Sequence, residues 1–217
     1  MNVRIELSYI TPKGTETSFS SDEMRTAKAL LLAEDLEKTA RAKEIMFVDK
    51  YENKWTLKEM KKQMEAIKTE PHEVTVYFDG GFDLTTRNSG LGCVIYYEQN
   101  GKSWRQRKNA LVEELETNNE AEYAALHLAV QELELMGVHH LTVTFTGDSQ
   151  VVINQLKGEW PCYEAELNHW ADRIENDFDR LGIDPEYELV SRKNNQEADR
   201  LASQGLKGVD VTSTSEV

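Results

Sequence analysis

The chain has 217 residues, 39% of them hydrophobic, which is enough to form the core of one large domain or two small ones. Its formal net charge of −14 argues against a protein that holds nucleic acid by overall positive charge, so such a function would need a local basic strip or bound cations. The longest apolar run, residues 27–33, is too short to cross a bilayer, and Cys93 and Cys162 show no spacing suited to zinc or to a disulfide framework. We therefore expect a cytoplasmic protein with reduced thiols and no membrane contact.

Residues 1–70 predict a small α/β domain of ββαββα-like order. Its charge is balanced, with 13 basic and 13 acidic residues, so the acidic excess lies in the rest of the chain. We expect its first helix to begin at Ser21, and its second helix to begin after Thr56, which forms a complete capping box with Glu59. Pro71 ends the second helix and marks the domain boundary.

Residues 73–206 predict a second α/β domain with the element order βββαβααβα. Its first strand, residues 74–78, is expected to end at Asp79, and a hairpin follows across the Asn100-Gly101 turn. The later elements are three helices and two strands, followed by a final helix before residue 206. This order predicts a mixed five-stranded sheet with flanking helices, and residues 207–217 are expected to form a flexible tail.

Two aspartates occupy equivalent places in this pattern. Asp79 and Asp148 each come after a run of strand residues and lie beside glycine. If the two strands are parallel neighbours, both carboxylates emerge at the carboxyl edge of the sheet, where sites of α/β proteins form. Glu122 and Asp199 are the other acids that could reach this edge. Because four clustered carboxylates would raise one another's pKa, we expect them to share divalent cations that prefer oxygen ligands, Mg²⁺ or Mn²⁺.

Glu120 and Glu122 lie two residues apart near the start of one helix, and they call for different explanations. Thr117 followed by Glu120 is a capping box, in which the carboxylate reaches back to the backbone N–H of the threonine. Glu122 is rotated about 200° further round the helix, onto a different face. A structural role therefore explains Glu120 and leaves Glu122 free for a site.

Four segments resemble, in order and spacing, the signatures of ribonuclease H type 1: YFDGG, TNNEAEY, GDSQVVINQLKGEW and NNQEADRLASQ. The resemblance covers roughly residues 74–206 and has the form of the bacterial two-domain, reverse-transcriptase-like branch. It implies an endoribonuclease that cuts the RNA strand of RNA/DNA hybrids with two metal ions. The catalytic and metal-binding carboxylates would be Asp79, Glu122, Asp148 and Asp199.

The resemblance also implies contacts with the substrate. Asn118, Asn119 and Gln150 match family positions that reach into the minor groove, where the 2′-hydroxyl distinguishes RNA from DNA. Gly80 and Gly81 would let the backbone approach the scissile strand closely. The partner implied is an RNA/DNA hybrid.

Two departures from the family lie near the expected site. The loop before Asp199 has no histidine, and Arg192 or Lys193 is the group available to assist instead. The basic protrusion that grips DNA in some members is replaced by the acidic segment 158–177, whose Trp160, Tyr163 and Trp170 are expected to pack against the third helix. A basic strip remains at residues 102–108, although in a strand its lysines and arginines would point to opposite faces.

The first domain departs as well, because it lacks the motif of the family's hybrid-binding domain. Lysines on its second helix leave a nucleic-acid face open, and self-association, binding of a partner or packing against the second domain is at least as strongly favoured. These departures leave a second function in view: a nucleic-acid-binding or regulatory protein with little or no cleavage.

Overall fold

The computed structural model describes residues 2–217, apart from the side chains of residues 66 and 67; Met1, with which the first predicted domain begins, lies outside the described residues. The chain divides into two compact units, Met1–Ile67 and Lys68–Val217. Between residues 2 and 217 no helix is both long and apolar enough to cross a membrane.

The first unit is a five-stranded sheet with two helices. Its elements are β1 Asn2–Ile10, β2 Glu16–Ser20, β3 Met24–Arg25, α1 Thr26–Lys38, β4 Ala42–Asp49, β5 Lys54–Thr56 and α2 Leu57–Thr69. The strand order is β2-β1-β4-β5, and the short β3 also pairs with β1. The core of this unit consists of Val3, Ile5, Ala29, Ala33, Phe47 and Met60, which are all buried.

The start of the first helix differs from the prediction. Ser21 does not cap α1, because its hydroxyl instead accepts a hydrogen bond from the backbone N–H of Ile5 at 2.9 Å. The next residues pair with β1 as strand β3, and the helix begins only at Thr26. The capping box of α2 is confirmed: Glu59 accepts from the Thr56 N–H at 2.9 Å.

The second unit is a six-stranded mixed sheet with helices on both faces. Its elements are β6 His72–Phe82, β7 Asn88–Gln99, β8 Lys102–Glu113, α3 Asn118–Leu135, β9 Thr142–Gly147, α4 Gln150–Leu156, α5 Ala165–Leu181, β10 Asp184–Leu189, a 3-10 turn Arg192–Asn194, α6 Gln196–Leu206 and β11 Thr212–Glu216. The strand order is β10-β9-β6-β7-β8-β11. The mixed sheet with flanking helices is as predicted, but the sheet has one strand more.

The additional strand is formed by the segment predicted to be a flexible tail. β11 pairs antiparallel with β8, and Lys102 forms an ion pair with Glu216 at 2.7 Å. Asn109, which is buried on β8, accepts from the Val211 N–H at 2.8 Å and donates to the Val209 carbonyl at 2.8 Å. The prediction was wrong because the segment is ordered by a strand about one hundred residues earlier, which local sequence does not reveal.

The first strand of this unit also runs further than predicted. β6 continues through Asp79 to Phe82, and Asp79 lies opposite Gly92 of β7. The parallel pairing of β6 with β9 ends earlier, at Tyr77. Asp79 is therefore still paired with β7 on one side of the strand. On the other side it lies beyond the last residue of β6 that pairs with β9.

The two faces of β7 show how the helices are arranged. Leu91, Cys93 and Ile95 belong to the main hydrophobic core, which includes most of the buried residues of α3 and α5. The alternate residues Gly90 and Gly92 face α6 instead. The sheet thus separates α3 from α6, and both helices bring an acidic residue to its edge.

Candidate metal centre and active site

Asp79 and Asp148 meet at the edge of the sheet. β6 and β9 are parallel neighbours, with Tyr77 opposite Thr146, and each aspartate comes two residues later. The expected parallel pairing is therefore confirmed. A ligand oxygen of Asp79, one of Glu122 and one of Asp148 lie within 4.8 Å of one another.

Glu122 reaches this edge from the second turn of α3. Its carboxylate accepts a hydrogen bond from the Gly80 N–H at 3.2 Å, and the side chain is buried. A Cβ atom on Gly80 would lie 2.2 Å from the backbone carbon of Ala121. Only glycine therefore lets the strand come close enough to the helix for the backbone of residue 80 to hold the Glu122 carboxylate.

The electrostatics of the group favour a bound cation. The pKa of Asp79 is raised to about 7, because burial disfavours its charge and the carboxylates of Asp148 and Asp199 repel it. Burial, followed by the charges of Asp79 and Asp148, also raises the pKa of Glu122 well above its ordinary value. A compact set of carboxylate oxygens, which no positively charged side chain of the described residues contacts in an ion pair, fits Mg²⁺ or Mn²⁺, both of which prefer oxygen ligands.

The fourth predicted acid, Asp199, lies in the first turn of α6 and lines the same cleft. It stands apart from the compact group formed by the other three acids. Its Oδ1 accepts a hydrogen bond from Nη2 of Arg192 at 2.8 Å, and Arg192 lies in the 3-10 turn just before α6. The sequence suggested Arg192 as an assisting group but gave no sign of this pairing.

Close packing of α6 on the sheet fixes the position of Asp199. A Cβ atom on Gly92 would lie 2.4 Å from the Ala198 carbonyl oxygen, and one on Gly90 would lie 2.0 Å from the Ala202 carbonyl oxygen. The two glycines therefore let the helix backbone rest directly on β7. Asp199 follows Ala198, so its location depends on this contact.

Asn195 is a positioning residue that sequence reasoning missed. It is 1% exposed, and its Nδ2 donates to the carbonyl of Phe78 at 2.9 Å, next to Asp79 in the chain. The bond joins the start of α6 to the strand that carries Asp79. A buried amide directly before a helix is a weak signal in sequence, because it gives no indication of its partner.

We expect Asn195→Ala to lower the free energy of unfolding by about 1–3 kcal/mol, because the substitution leaves a buried backbone carbonyl without its donor. The exposed neighbour provides the control, since Asn194→Ala should change stability by less than about 0.5 kcal/mol. Urea denaturation of the two variants measures the difference. Equal effects would contradict the role given to the Asn195 amide.

The acids and several predicted contact residues line one cleft of about 430 Å³. The predicted residues found in its lining are Asp79, Gly80, Gly81, Asn118, Glu122, Asp148 and Asp199, together with Ser149, Arg192 and Ser203, which were not predicted as contacts. Asn119 and Gln150 do not belong to this lining, although both lie at the helix starts that border it.

Glu120 has the structural role predicted for it, with a different bond. Thr117 Oγ1 accepts from the Glu120 N–H at 3.1 Å, as in a capping box. The Glu120 carboxylate, however, accepts from the N–H of Glu116 at 2.8 Å and from Nε1 of Trp170 at 3.4 Å. It therefore ties the start of α3 to α5 and does not enter the acidic group.

The basic strip of β8 is largely engaged within the protein. Arg105 forms an ion pair with Glu197 at 3.2 Å, on the face that carries α6. Lys102 pairs with Glu216, and Nζ of Lys108 donates to Oγ1 of Thr212 in β11. These contacts leave little of the strip to face a phosphate path.

The aromatic residues of the acidic segment behave differently from one another. Trp170 packs as predicted, with its ring centroid 5.5 Å from that of His127 on α3. Tyr163 is 90% exposed, so the prediction that it packs with the third helix of this domain, α5, was wrong; Trp160 is 43% exposed and therefore only partly covered. Both lie in the loop before α5, where the backbone N–H of Trp160 donates to the carbonyl of Asn154 at 3.1 Å.

Comparison with known proteins agrees with this fold. A family model described as reverse transcriptase-like matches residues 77–205. Over 193 residues the chain is 45% identical to the uncharacterized protein YpeP of Bacillus subtilis (strain 168), a match that covers 89% of this chain and 85% of that protein.

Solved structures of ribonucleases H1 are similar to the second unit's fold. RNase H1 from the halophilic archaeon Halobacterium salinarum NRC-1 matches with a TM-score of 0.53 and 26% identity, covering 62% of this chain and 98% of that one. LC11-RNase H1, isolated from compost by a metagenomic approach, matches with a TM-score of 0.54 and 25% identity, covering 62% and 96%. The chain therefore belongs to the reverse transcriptase-like family and is a ribonuclease H-like protein.

Proposed function

We propose that the protein is a cytoplasmic endoribonuclease that uses divalent cations to hydrolyse the RNA strand of RNA/DNA hybrids. The observation that carries this proposal is the compact group of Asp79, Glu122 and Asp148 at the sheet edge. The fold supports it, and LC11-RNase H1 has been solved in complex with an RNA/DNA hybrid.

The roles of the carboxylates follow from their positions. Asp79, Glu122 and Asp148 would hold one cation, and Asp199 would take part in holding a second. Bound there, two Mg²⁺ or Mn²⁺ ions would supply activation of a water molecule and stabilisation of the leaving 3′ oxygen. The Gly80 N–H fixes the Glu122 carboxylate, so the protein presents its ligands with little rearrangement.

We assign substrate contact to the residues at the rim of the cleft. Asn118 is exposed there, at the first position of α3, and a side-chain amide can exchange hydrogen bonds with a 2′-hydroxyl. Gly81 lies at the same rim, and because it has no side chain its backbone would be open to the substrate. Asn119 and Gln150 would contact the hybrid outside the cleft, further along the minor groove.

The test compares substrates of one sequence in Mg²⁺ and separately in Mn²⁺: an RNA/DNA hybrid, an RNA duplex and a DNA duplex, each with a labelled strand. The proposal predicts internal cuts in the RNA strand of the hybrid and intact strands in the two other duplexes. Cleavage of all three would indicate an unspecific nuclease, and cleavage of none would refute the proposal.

A second function is a nucleic-acid-binding or regulatory protein with little cleavage. The observation in its favour is that the loop before Asp199 contains no histidine, the group that would assist cleavage in some members of the family. Hybrid binding in the absence of cleavage would support this function. The role of the first unit stays a prediction, and one lysine of α2, Lys61, is already paired with Glu34 at 2.8 Å.

A further inference from the structure

We propose that Arg192 is a built-in counter-ion that competes with a divalent cation for Asp199, so that the protein binds one cation strongly and a second more weakly. The inference rests on the proposed function, because it concerns the same four carboxylates. It adds a regulatory property of that site: the concentration of divalent cation at which the second ion enters.

The carboxylates form two different environments. Asp79, Glu122 and Asp148 bring their oxygens within 4.8 Å of one another, and Asp79 and Glu122 are buried. Among the described residues, no side chain of positive charge forms an ion pair with these three acids. A cation that binds them finds ligands already gathered and has no paired guanidinium to displace.

Asp199 differs from these three acids in already having a cationic partner. Its side chain is 33% exposed, and its Oδ1 is 2.8 Å from Nη2 of Arg192. A cation ligated by Asp199 must either displace the guanidinium from this oxygen or approach it against charge repulsion. The second cation therefore binds with a cost that the first does not meet.

The charge of Arg192 also reaches the other acids. It lines the same cleft, and its guanidinium opposes the rise in the pKa of Asp79 and of Glu122. Arg192 thus offsets part of the repulsion among the carboxylates without contacting the three gathered ones. The permanent positive charge of Arg192 therefore stabilises the acidic edge of the sheet when divalent cations in solution are scarce.

The exposure of the Arg192–Asp199 ion pair determines how much Arg192 can weaken binding of the second cation. The Arg192 side chain is 81% exposed, so solvent screens the bond and its loss should change cation affinity modestly. We expect Arg192→Gln to tighten the weaker site by about three- to tenfold and to leave the stronger site within about twofold. The exposure also means that the substitution should not disturb folding.

The test is a Mn²⁺ titration of the full chain, with free Mn²⁺ read by electron paramagnetic resonance and heats by calorimetry. It compares wild type, Arg192→Gln, Arg192→Lys and, as a matched control, Lys193→Gln, which removes an adjacent exposed cation that does not contact Asp199. The proposal predicts two affinities in wild type and a tighter weak site in Arg192→Gln. Arg192→Lys should restore the wild-type value, and Lys193→Gln should match wild type.

Three results would overturn the inference: an unchanged weak site in Arg192→Gln, an equal shift at both sites, or the same shift in Lys193→Gln. Failure to find a second ion in both wild type and Arg192→Gln would overturn it as well. These outcomes are independent of cleavage. A protein that binds Mn²⁺ as predicted but leaves the hybrid intact would refute the proposed function alone, and a protein that cuts the hybrid with unaltered Mn²⁺ binding in Arg192→Gln would refute only the role of Arg192.

Discussion

Replacing Asp79 by asparagine is expected to lower the rate of hybrid cleavage by about a hundredfold or more while making the protein more stable without divalent cations. The loss of rate follows because bound cations contribute several kcal/mol to stabilising the transition state, and each 1.4 kcal/mol is about tenfold in rate. The gain in stability follows because Asp79 is buried beside other carboxylates. Single-turnover cleavage and urea denaturation in EDTA measure the two effects.

Glu120→Gln is the matched control for this variant. Glu120 is an acid on the same helix as Glu122, but it bonds the backbone of Glu116 and Trp170. We expect the glutamine to retain cleavage and to lose at most about 1–2 kcal/mol of stability, the range for a weakened helix cap. Loss of cleavage in Glu120→Gln comparable to that in Asp79→Asn would contradict the division of roles between the acids.

The same carboxylate predicts a pH dependence of stability in EDTA. The pKa of Asp79 is about 7 in the folded protein against an ordinary value of 3.8, so the folded state binds its proton more tightly. Its contribution to stability is therefore fully present below about pH 4 and is lost as the pH rises through 7. Relative to Asp79→Asn, wild type should lose a few kcal/mol over this window, since one pKa unit is worth about 1.4 kcal/mol. A constant difference across the window would contradict the raised pKa.

Gly80→Ala is expected to destabilise the protein by about 3 kcal/mol or more, at the upper end of the range for overpacked positions. The new Cβ would lie 2.2 Å from backbone atoms of Ala121 and 2.4 Å from the Glu122 nitrogen, and backbone cannot move aside as a flexible side chain can. The strand and α3 would have to separate, which would also move Glu122 away from Asp79. Urea denaturation and the stoichiometry of Mn²⁺ binding measure both consequences.

The neighbouring glycine provides the control. A Cβ on Gly81 would meet only the Leu206 Cδ1 at 3.3 Å, the far end of a flexible side chain. Gly81→Ala should therefore change stability by less than about 1 kcal/mol. If the two variants were equally stable, the close approach of β6 to α3 could not be what requires glycine at position 80.

Local patterns predicted the parts of the fold that neighbouring residues determine. The Asn100-Gly101 turn joins β7 and β8 as expected, and both of its residues adopt the positive φ that a two-residue hairpin turn requires. The placement of Asp79 and Asp148 after two strands was enough to bring them to one edge, because the strands are parallel neighbours. The three gathered acids were thus among those predicted from the sequence.

Features that depend on distant residues could not be predicted. β11 was expected to be a tail because its order comes from pairing with β8 and from the buried Asn109. Gly80 was assigned to the approach of substrate, whereas the structure shows that Ala121 of α3 occupies the space beside it. In both cases the residue type was informative, but its partner lies far along the chain and becomes known only from the fold.

The most direct test of the account is one cleavage measurement on a labelled RNA/DNA hybrid, with wild type and Asp79→Asn purified in the same way and assayed in Mg²⁺, in Mn²⁺ and in EDTA. The account predicts that wild type cuts the RNA strand in at least one metal and not in EDTA, and that Asp79→Asn cuts at least about a hundredfold more slowly. Intact RNA with wild type in both metals would contradict the account, as would equal cleavage by Asp79→Asn.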